Sequence, residues 1–404
     1  MTPSVLIVTM GTDAVAPARM PRELKRAGFD VTLLAPRDSF AAHTAFADRI
    51  GHFPDAVTLY QWVQALLGAM RAAPPALILP GDEVALRTLM RLVLDPPTGL
   101  LPQTRDEIAI AVRRSLGDAA TWIDSIDKSR LFDVARGARV SIAEGDVADS
   151  EDAAVAVARS LGYPVILRPS IGSGGQGTAR CDSDASVRTA MRVAPRTDAG
   201  LPGAALRYVV QRFIDGRIVN RASVAWNGDE VAGITRGRLE THSGPFGPAS
   251  VVEFVGAPAV RDAMRRLCGV LDLHGLVGGQ FMLDPRTGSP LLIEMHRRML
   301  PATHSGSIVG VDLAGALHAG LAGRKWEGPV DLPQGPGLRL ALFPQECYRD
   351  PGSRWLRMLP SDAPWDDPKL FAAMLRLGES GVVLETCTTD VKYSELDRTL
   401  RVLL

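Results

Sequence analysis

The alternation of elements over the first hundred residues limits most strongly what this chain can fold into. Short β-branched runs alternate with amphipathic stretches: Val5 to Thr9, a helix near Ala18 to Ala27, Val31 to Ala35, a helix near Tyr60 to Ala73, then Ala76 to Pro80. This β-α-β-α-β rhythm predicts a doubly wound parallel sheet, because parallel neighbours need helical crossovers. The first strand ends in Met10-Gly11-Thr12 with no GxGxxG after it, so the dinucleotide fingerprint is absent. Leu77 to Glu83 sets two acids, Asp82 and Glu83, just past a strand's carboxyl end, where open α/β sheets gather ligands. A solvated turn with Asp82 as helix N-cap is the plainer alternative.

The texture changes near Asp127-Lys128. Helices are expected at Lys128 to Ala135, Ala153 to Leu161 and Pro258 to Leu273. Strands are expected at Tyr163 to Arg168, Arg207 to Phe213, Ala222 to Trp226, Glu230 to Ile234, Gly279 to Leu283 and Leu291 to Met295. That is an α+β body. From about Trp326 proline, glycine and aspartate predominate, and the composition predicts a loosely structured appendage ending in a strand at Gly381 to Thr386 and a short helix. The expected division is 1–115, 116–325 and 326–404, and 404 residues with 46% hydrophobic content suffice for cores of that number.

Lysine plus arginine (45) equals aspartate plus glutamate (45), which leaves no global field to concentrate nucleic acid or an anionic membrane. Any polyanion bound must be small. Cys181, Cys268, Cys347 and Cys387 lie far apart without a CxxC pair, so neither a zinc site nor a disulfide framework is suggested, and a reducing cytoplasm is expected. The N-terminal apolar run is only strand-length, and no run approaches the ~18–20 residues that span a bilayer. A soluble cytoplasmic chain is the expectation.

Arg168 to Thr178 joins a buried strand to the next element and holds four glycines in six positions, Gly172, Gly174, Gly175 and Gly177, with Ser170 and Ser173 among them. Such a loop can turn its N–H groups inward around phosphate oxygens, because glycine permits positive φ and close approach. A Walker A loop needs lysine six positions beyond its first glycine, and six beyond Gly172 stands Thr178. Arg168, leaving the strand beside the loop, can hold phosphate oxygens bidentately. Lys128 is a second cation, an ordinary surface lysine if taken alone.

Farther on, Val277 to Asp284 and Leu291 to Arg298 read as two strands of a hairpin. Glu294 and His296, two apart, share one face, and Gln280 can lie opposite them. A carboxylate within Leu291-Leu292-Ile293-Glu294-Met295 is costly to bury unless it meets a metal or a cation. Magnesium between protein oxygens and phosphates meets that need; an exposed Glu294–Arg298 pair is the plain alternative.

In order and spacing these parts resemble the ATP-grasp superfamily over roughly Leu116 to Gly323, with the α/β domain that usually precedes it. Asp127-Lys128, Tyr163 to Gly177, Tyr208 to Gly216, and Gln280-Phe281-Met282 with Ile293 to Arg298 carry the resemblance. It implies a two-lobed ATP-grasp fold, with Lys128 and Arg168 on the ATP phosphates. Adenine is implied between the lobes, with Gln211 near the amino group, the backbone of Arg212 and Phe213 at the ring edge and Ile214 packing. The arginine in Leu167-Arg168-Pro169-Ser170, and Gln280, are similar to the carbamoyl-phosphate synthetase large subunit. Three positions depart from the family pattern: His296 replaces asparagine and Arg297 proline in the metal motif, and Ile218 stands where a ribose-binding glutamate is common. Imidazole is a poor magnesium ligand, so either Glu294 and water hold the ion or the preference shifts toward Mn²⁺.

The resemblance implies ATP with Mg²⁺ and a carboxylate phosphorylated to an acyl phosphate, which an amine or other nucleophile then captures. Positioning and charge neutralisation supply the catalysis. Arg298 matches the family arginine that contacts the substrate carboxylate or transferring phosphate, and Arg238 is the second catalytic candidate. Arg238 stands with Arg236, Glu240 and His242 in the polar stretch Thr235 to Gly247, read as a loop over the site that excludes water. His304 and His318 are left unassigned, since lone histidines are usually structural or exposed. The implied partners are small-molecule carboxylates and amines, not nucleic acid or membrane, with a homodimer as one assembly option. A non-ligating ATP-binding protein is the competing reading, motivated by His296, Arg297 and Ile218.

Overall fold

The computed structural model describes residues 2–54, 58–97, 99–172, 174–194, 201–202, 207–242, 244, 246–335 and 337–376. β1 (Ser4–Val8), β2 (Asp30–Ala35), β3 (Arg49–His52) and β4 (Leu77–Pro80) form a parallel sheet in the order β3-β2-β1-β4, with Val5 opposite both Val31 and Leu77. Alternate side chains enter different cores. Val5, Ile7, Leu33 and Leu79 pack toward the helix Val15–Arg26, while Leu6, Val8, Leu34 and Ile78 pack toward the helices Leu59–Ala72, Glu83–Leu94 and Pro102–Leu116. Burial on both faces explains why these strands read as continuous apolar runs. Asp82 does cap a helix, accepting from Ala85 N at 2.8 Å, but it is 1% exposed. Its other oxygen accepts from Thr9 Oγ1 at 2.6 Å and Gly11 N at 2.9 Å, tying the ends of β4 and β1 together.

A second sheet, antiparallel in the order β5-β8-β6-β7, comprises β5 (Gly145–Ala148), β6 (Val165–Pro169), β7 (Ala179–Cys181) and β8 (Tyr208–Arg212). Val165, Leu167, Tyr208 and Val210 pack with the helices Glu151–Leu161 and Asp184–Val193. The strand period of two sends Ile166, Arg168 and Gln211 to the opposite face.

The third sheet has six strands, β9 (Arg217–Trp226), β10 (Asp229–Thr241), β11 (Ala249–Phe254), β12 (Gly275–Leu283), β13 (Pro290–His296) and β14 (Arg339–Ala341), ordered β13-β12-β9-β10-β11-β14. The helix Pro258–Val270 covers one face over Val219, Val277 and Phe281. β12 and β13 form the expected hairpin.

Two local expectations differ from what is found. The polar stretch from Thr235, expected as a loop over the site, is as far as Thr241 the second half of β10, paired with β9 up to Gly237 and with β11 from Arg236. Arg238 on this strand lines a cleft, and the polar residues around it give the strand the composition of a loop. Gly237 interrupts it because an added Cβ would lie 2.2 Å from Arg217 NH2. Only the turn after Thr241 remains to roof the site, and its Ser243 and Pro245 lie outside the described residues.

The proline-rich end is also better packed than its composition suggested. β14 extends the third sheet, Leu370 and Met374 join the core beneath β1, and Trp355 Nε1 donates to Glu240 Oε1 at 3.0 Å. The strand expected at Gly381 to Thr386, the helix after it and Cys387 lie outside the described residues. Cys181, Cys268 and Cys347 are buried and free. Among the described residues no helix is long and apolar enough to cross a membrane.

Candidate active site

The second and third sheets face each other across an open cleft. Its floor is set by strand register. Glu294 pairs with Gln280, Gln280 with Asn220, and Asn220 with Arg236, a polar row across four strands whose Arg236 end lies beyond the residues that line the cleft. Gln280 Nε2 donates to Asn220 Oδ1 at 3.1 Å, which leaves the Gln280 carbonyl oxygen to accept.

Glu294 is the electrostatic centre. Lys128 Nζ lies 3.4 Å from one carboxylate oxygen and His296 Nε2 3.3 Å from the other. Burial alone would raise this carboxyl, but Lys128, His296 and Arg168 outweigh it and hold it well below the carboxylate range. Lys128 is bound into the glycine segment twice, its N–H donating to Ser170 O and its Nζ to Gly172 O, both at 2.8 Å. Arg168 donates to Ile293 O at 3.2 Å and to Gln211 Oε1, while its Nε has no partner. Gln211 Nε2 in turn donates to Ala143 O at 2.9 Å, so this side chain is a strut between Arg168 and the backbone just before β5.

Gly174 and Gly175 have φ of 64° and 78°, where a side chain is strained. A Cβ on Gly175 would also stand 2.4 Å from Phe246 O. The glycine segment therefore rests against the turn after β10, where Arg238 NH1 donates to Gly247 O at 2.9 Å. Ile166, Ile214, Ile218 and Met282 give the far part of the cleft an apolar lining.

Of the residues singled out in the sequence, the fold brings Lys128, Arg168, Gly172, Gly174, Gly175, Gln211, Arg212, Phe213, Ile214, Gln280, Glu294 and Arg238 to this cleft. Ser173 lies outside the described residues. Ser170 is not brought there: it is fully buried, its N–H donating to Arg207 O at 2.7 Å and its Oγ accepting from Arg207 N at 3.1 Å, a brace at the strand end. The N–H groups of Arg212 and Phe213 donate to Glu144 O and Pro164 O, so any contact from their backbone to a ring edge falls to the carbonyls.

His296 lines a small adjoining cavity with Glu83, Lys128, Gly172 and Glu294. Arg298 is held beside it by Glu83, Nε to Oε2 at 3.1 Å, and does not pair with Glu294. Burial would raise the Glu83 carboxyl, but Arg298, Arg87 and His296 hold it low. One site residue, Asn220, and one pairing, that of Glu83 with Arg298, escaped the sequence. Glu83 was visible as an acid at the end of β4, though nothing local names Arg298 as its partner. Asn220 follows Ile218 by two and shares its face, a signal available once β9 is recognised as starting at Arg217.

Arg297, where the family pattern has proline, is 1% exposed and serves the fold. Its guanidinium donates to Leu116 O and Leu271 O, two helix-end carbonyls, and to Ser125 Oγ and Thr121 Oγ1. Burial lowers its pKa to about 9, so it stays protonated at neutral pH.

Among the described residues no three His, Cys, Asp or Glu side chains stand together as a metal cage. One carboxylate, Glu294, with the Gln280 amide oxygen across the strand pair suits an ion that keeps its waters and shares phosphate oxygens, the habit of Mg²⁺.

Residues 127–219 match the sequence model of the family described as carbamoyl-phosphate synthase L chain, ATP binding domain. A putative urea carboxylase of Emericella nidulans is 29% identical over 249 residues, which is 55% of this chain and 20% of that protein. The chain thus spans about a fifth of that curated relative's length. Among solved structures, the biotin carboxylase of Campylobacter jejuni in its β-γ-ATP complex superposes with a TM-score of 0.62 at 18% identity, covering 81% of this chain and 72% of that one. The L-amino acid ligase of Bacillus licheniformis superposes with a TM-score of 0.56 at 15% identity, covering 84% and 79%.

Proposed function

This chain is an ATP-grasp protein by its fold, and from that premise we propose that it is an ATP-dependent ligase that activates a small carboxylate and couples it to an amine or other nucleophile. The observation that carries the proposal is Glu294, kept ionised among Lys128, His296 and Arg168 where the glycine segment meets the polar row. Lys128, Arg168 and the N–H groups of Gly172, Gly174 and Gly175 would hold phosphates, and the hinge Gln211 to Ile214 the base. Glu294 with Gln280 would hold Mg²⁺, which supplies charge neutralisation on the phosphates.

A substrate carboxylate oxygen then attacks the γ-phosphorus, the bond to the bridging oxygen breaks, and ADP leaves with that electron pair. The nucleophile adds to the acyl carbon of the resulting acyl phosphate, phosphate departs and the nucleophile loses a proton. Arg238 and Arg298 would stabilise the charge on the transferring group. For Arg298 this requires release from Glu83. The separation into units near 115 and 325, a homodimeric assembly and a cytoplasmic setting belong to the same proposal.

The test is to mix purified protein with ATP, Mg²⁺ or Mn²⁺ and a pool of carboxylic acids and amines. Phosphate release that requires an acid supports ligation. Tight nucleotide binding without turnover on any acid would instead indicate a non-ligating ATP-binding protein.

A further inference from the structure

Two buried arginines outside the cleft have no anion to hold. Arg19, one turn into the helix Val15–Arg26, is 8% exposed, and Arg236 on β10 is 6% exposed. NH1 of each is shut off from solvent with no hydrogen-bond partner, and neither side chain makes an ion pair among the described residues. Burial lowers the pKa of both, that of Arg236 to about 10, and a guanidinium is cationic at neutral pH.

Asp362 acts electrostatically on both guanidiniums, but its oxygens are engaged elsewhere, by Phe343 N at 2.6 Å and His304 Nε2 at 2.9 Å. The other acids that act on Arg19, Glu23 and Asp366, are taken up by Arg22. Asp362 therefore remains as the buried counter-charge for two cations. His304 is 4% exposed, and with Nε2–H given to Asp362 its Nδ1 is an acceptor without a donor.

Desolvated charge and orphaned polar nitrogens are costly unless something pairs with them. A planar carboxylate fits guanidinium donors, and its single charge suits two cations already shared with one acid better than a phosphate dianion does. An amine N–H would satisfy His304 Nδ1. Arg236 also ends the row that begins at Glu294, three strand spacings or roughly 14 Å away, the length of one small molecule from the phosphate end.

We propose that Arg19 and Arg236 anchor a carboxylate of the second substrate that is not itself activated, so that the nucleophile is an amino acid; this rests on the ligase reading above.

Two measurements keep the inference and that reading apart. Calorimetry with ADP and Mg²⁺ probes the cleft and does not involve Arg19 or Arg236. Thermal unfolding of the full chain, with and without ADP, in the presence of each common amino acid or its primary amide probes the anchor. The expected result is that at least one amino acid raises the midpoint with concentration while its amide does not. Arg19→Gln and Arg236→Gln should each weaken that amino acid about tenfold or more, the loss of a charge-assisted hydrogen bond, with ADP affinity unchanged. If either variant fails to fold, Arg236→Lys, which keeps the charge without the fork, should still show the weakening, and the acid-against-amide comparison on the natural chain stands by itself. Protection by no amino acid, equal protection by amides, or protection by inorganic phosphate that Arg236→Gln removes overturns the inference. Absent ADP binding would overturn the nucleotide reading instead.

Discussion

Glutamine at position 294 would keep the shape of the side chain and remove the charge that Lys128 and His296 share. Turnover should be lost while the circular dichroism stays unchanged. The denaturation midpoint should fall, because buried cations lose their counter-charge; near-normal rates would remove Glu294 from the metal assignment. Lys128→Ala and Arg168→Ala each delete a charged donor worth about 1.5–3 kcal/mol, so nucleotide affinity should drop roughly ten- to a hundredfold in a titration. Unchanged affinity in both variants would detach the glycine segment from phosphate. These residues were legible in the sequence because each is a polar group in an apolar or glycine-rich run. Glu83 was visible too, but its pairing with Arg298 spans 215 residues and no local pattern carries it.

At the scale of elements, the glycine segment and the turn after β10 meet at Gly175 and Phe246. Gly175→Ala places a Cβ in a left-handed backbone, costing about 1–2 kcal/mol, and drives it into Phe246 O. Nucleotide binding should weaken about tenfold, read by calorimetry, with little change in the core; an unaltered affinity would mean that the segment does not need this approach. Arg297 gathers the carbonyl ends of the helix Pro102–Leu116 and of the helix ending at Val270. Arg297→Met should therefore destabilise the chain by about 3 kcal/mol or more in a urea titration, since it strands several buried acceptors. A neutral outcome would show that water replaces the guanidinium. Helices and strands with clear apolar period were found near their places, and β10 was cut short because the polar residues around its cleft-lining Arg238 read like a solvated loop.

For the whole molecule, the buried histidines and carboxyls act in one direction. Burial lowers His242, His274 and His304, keeping them neutral, and nearby cations hold the carboxyls of Glu83, Glu294 and Asp362 low despite their burial. Each prefers its deprotonated form in the fold, so the unfolded chain binds more protons at acid pH. Stability should be full above the ordinary histidine pKa of about 6.5, decline as pH falls below it, and drop more steeply below about 4.5 as the unfolded carboxyls take up protons. The check is the thermal midpoint followed from pH 8 to pH 4, where a midpoint that rises on acidification would contradict this assignment.

The amino-acid sequence by itself determined the winding of the first sheet, the β12–β13 hairpin, the glycine segment and the cations and acids that accompany it. These features are written in local periods, two for strands and 3.6 for helices, and in residue types that only certain backbones or charges tolerate. Only the tertiary structure decided that Ser170 braces a strand end, that Arg297 caps helices, that Glu83 holds Arg298, and that Arg19 and Arg236 are buried without an anion. Those facts depend on which distant groups are brought within a few ångströms of one another, and contact between residues far apart in the chain leaves no period to read.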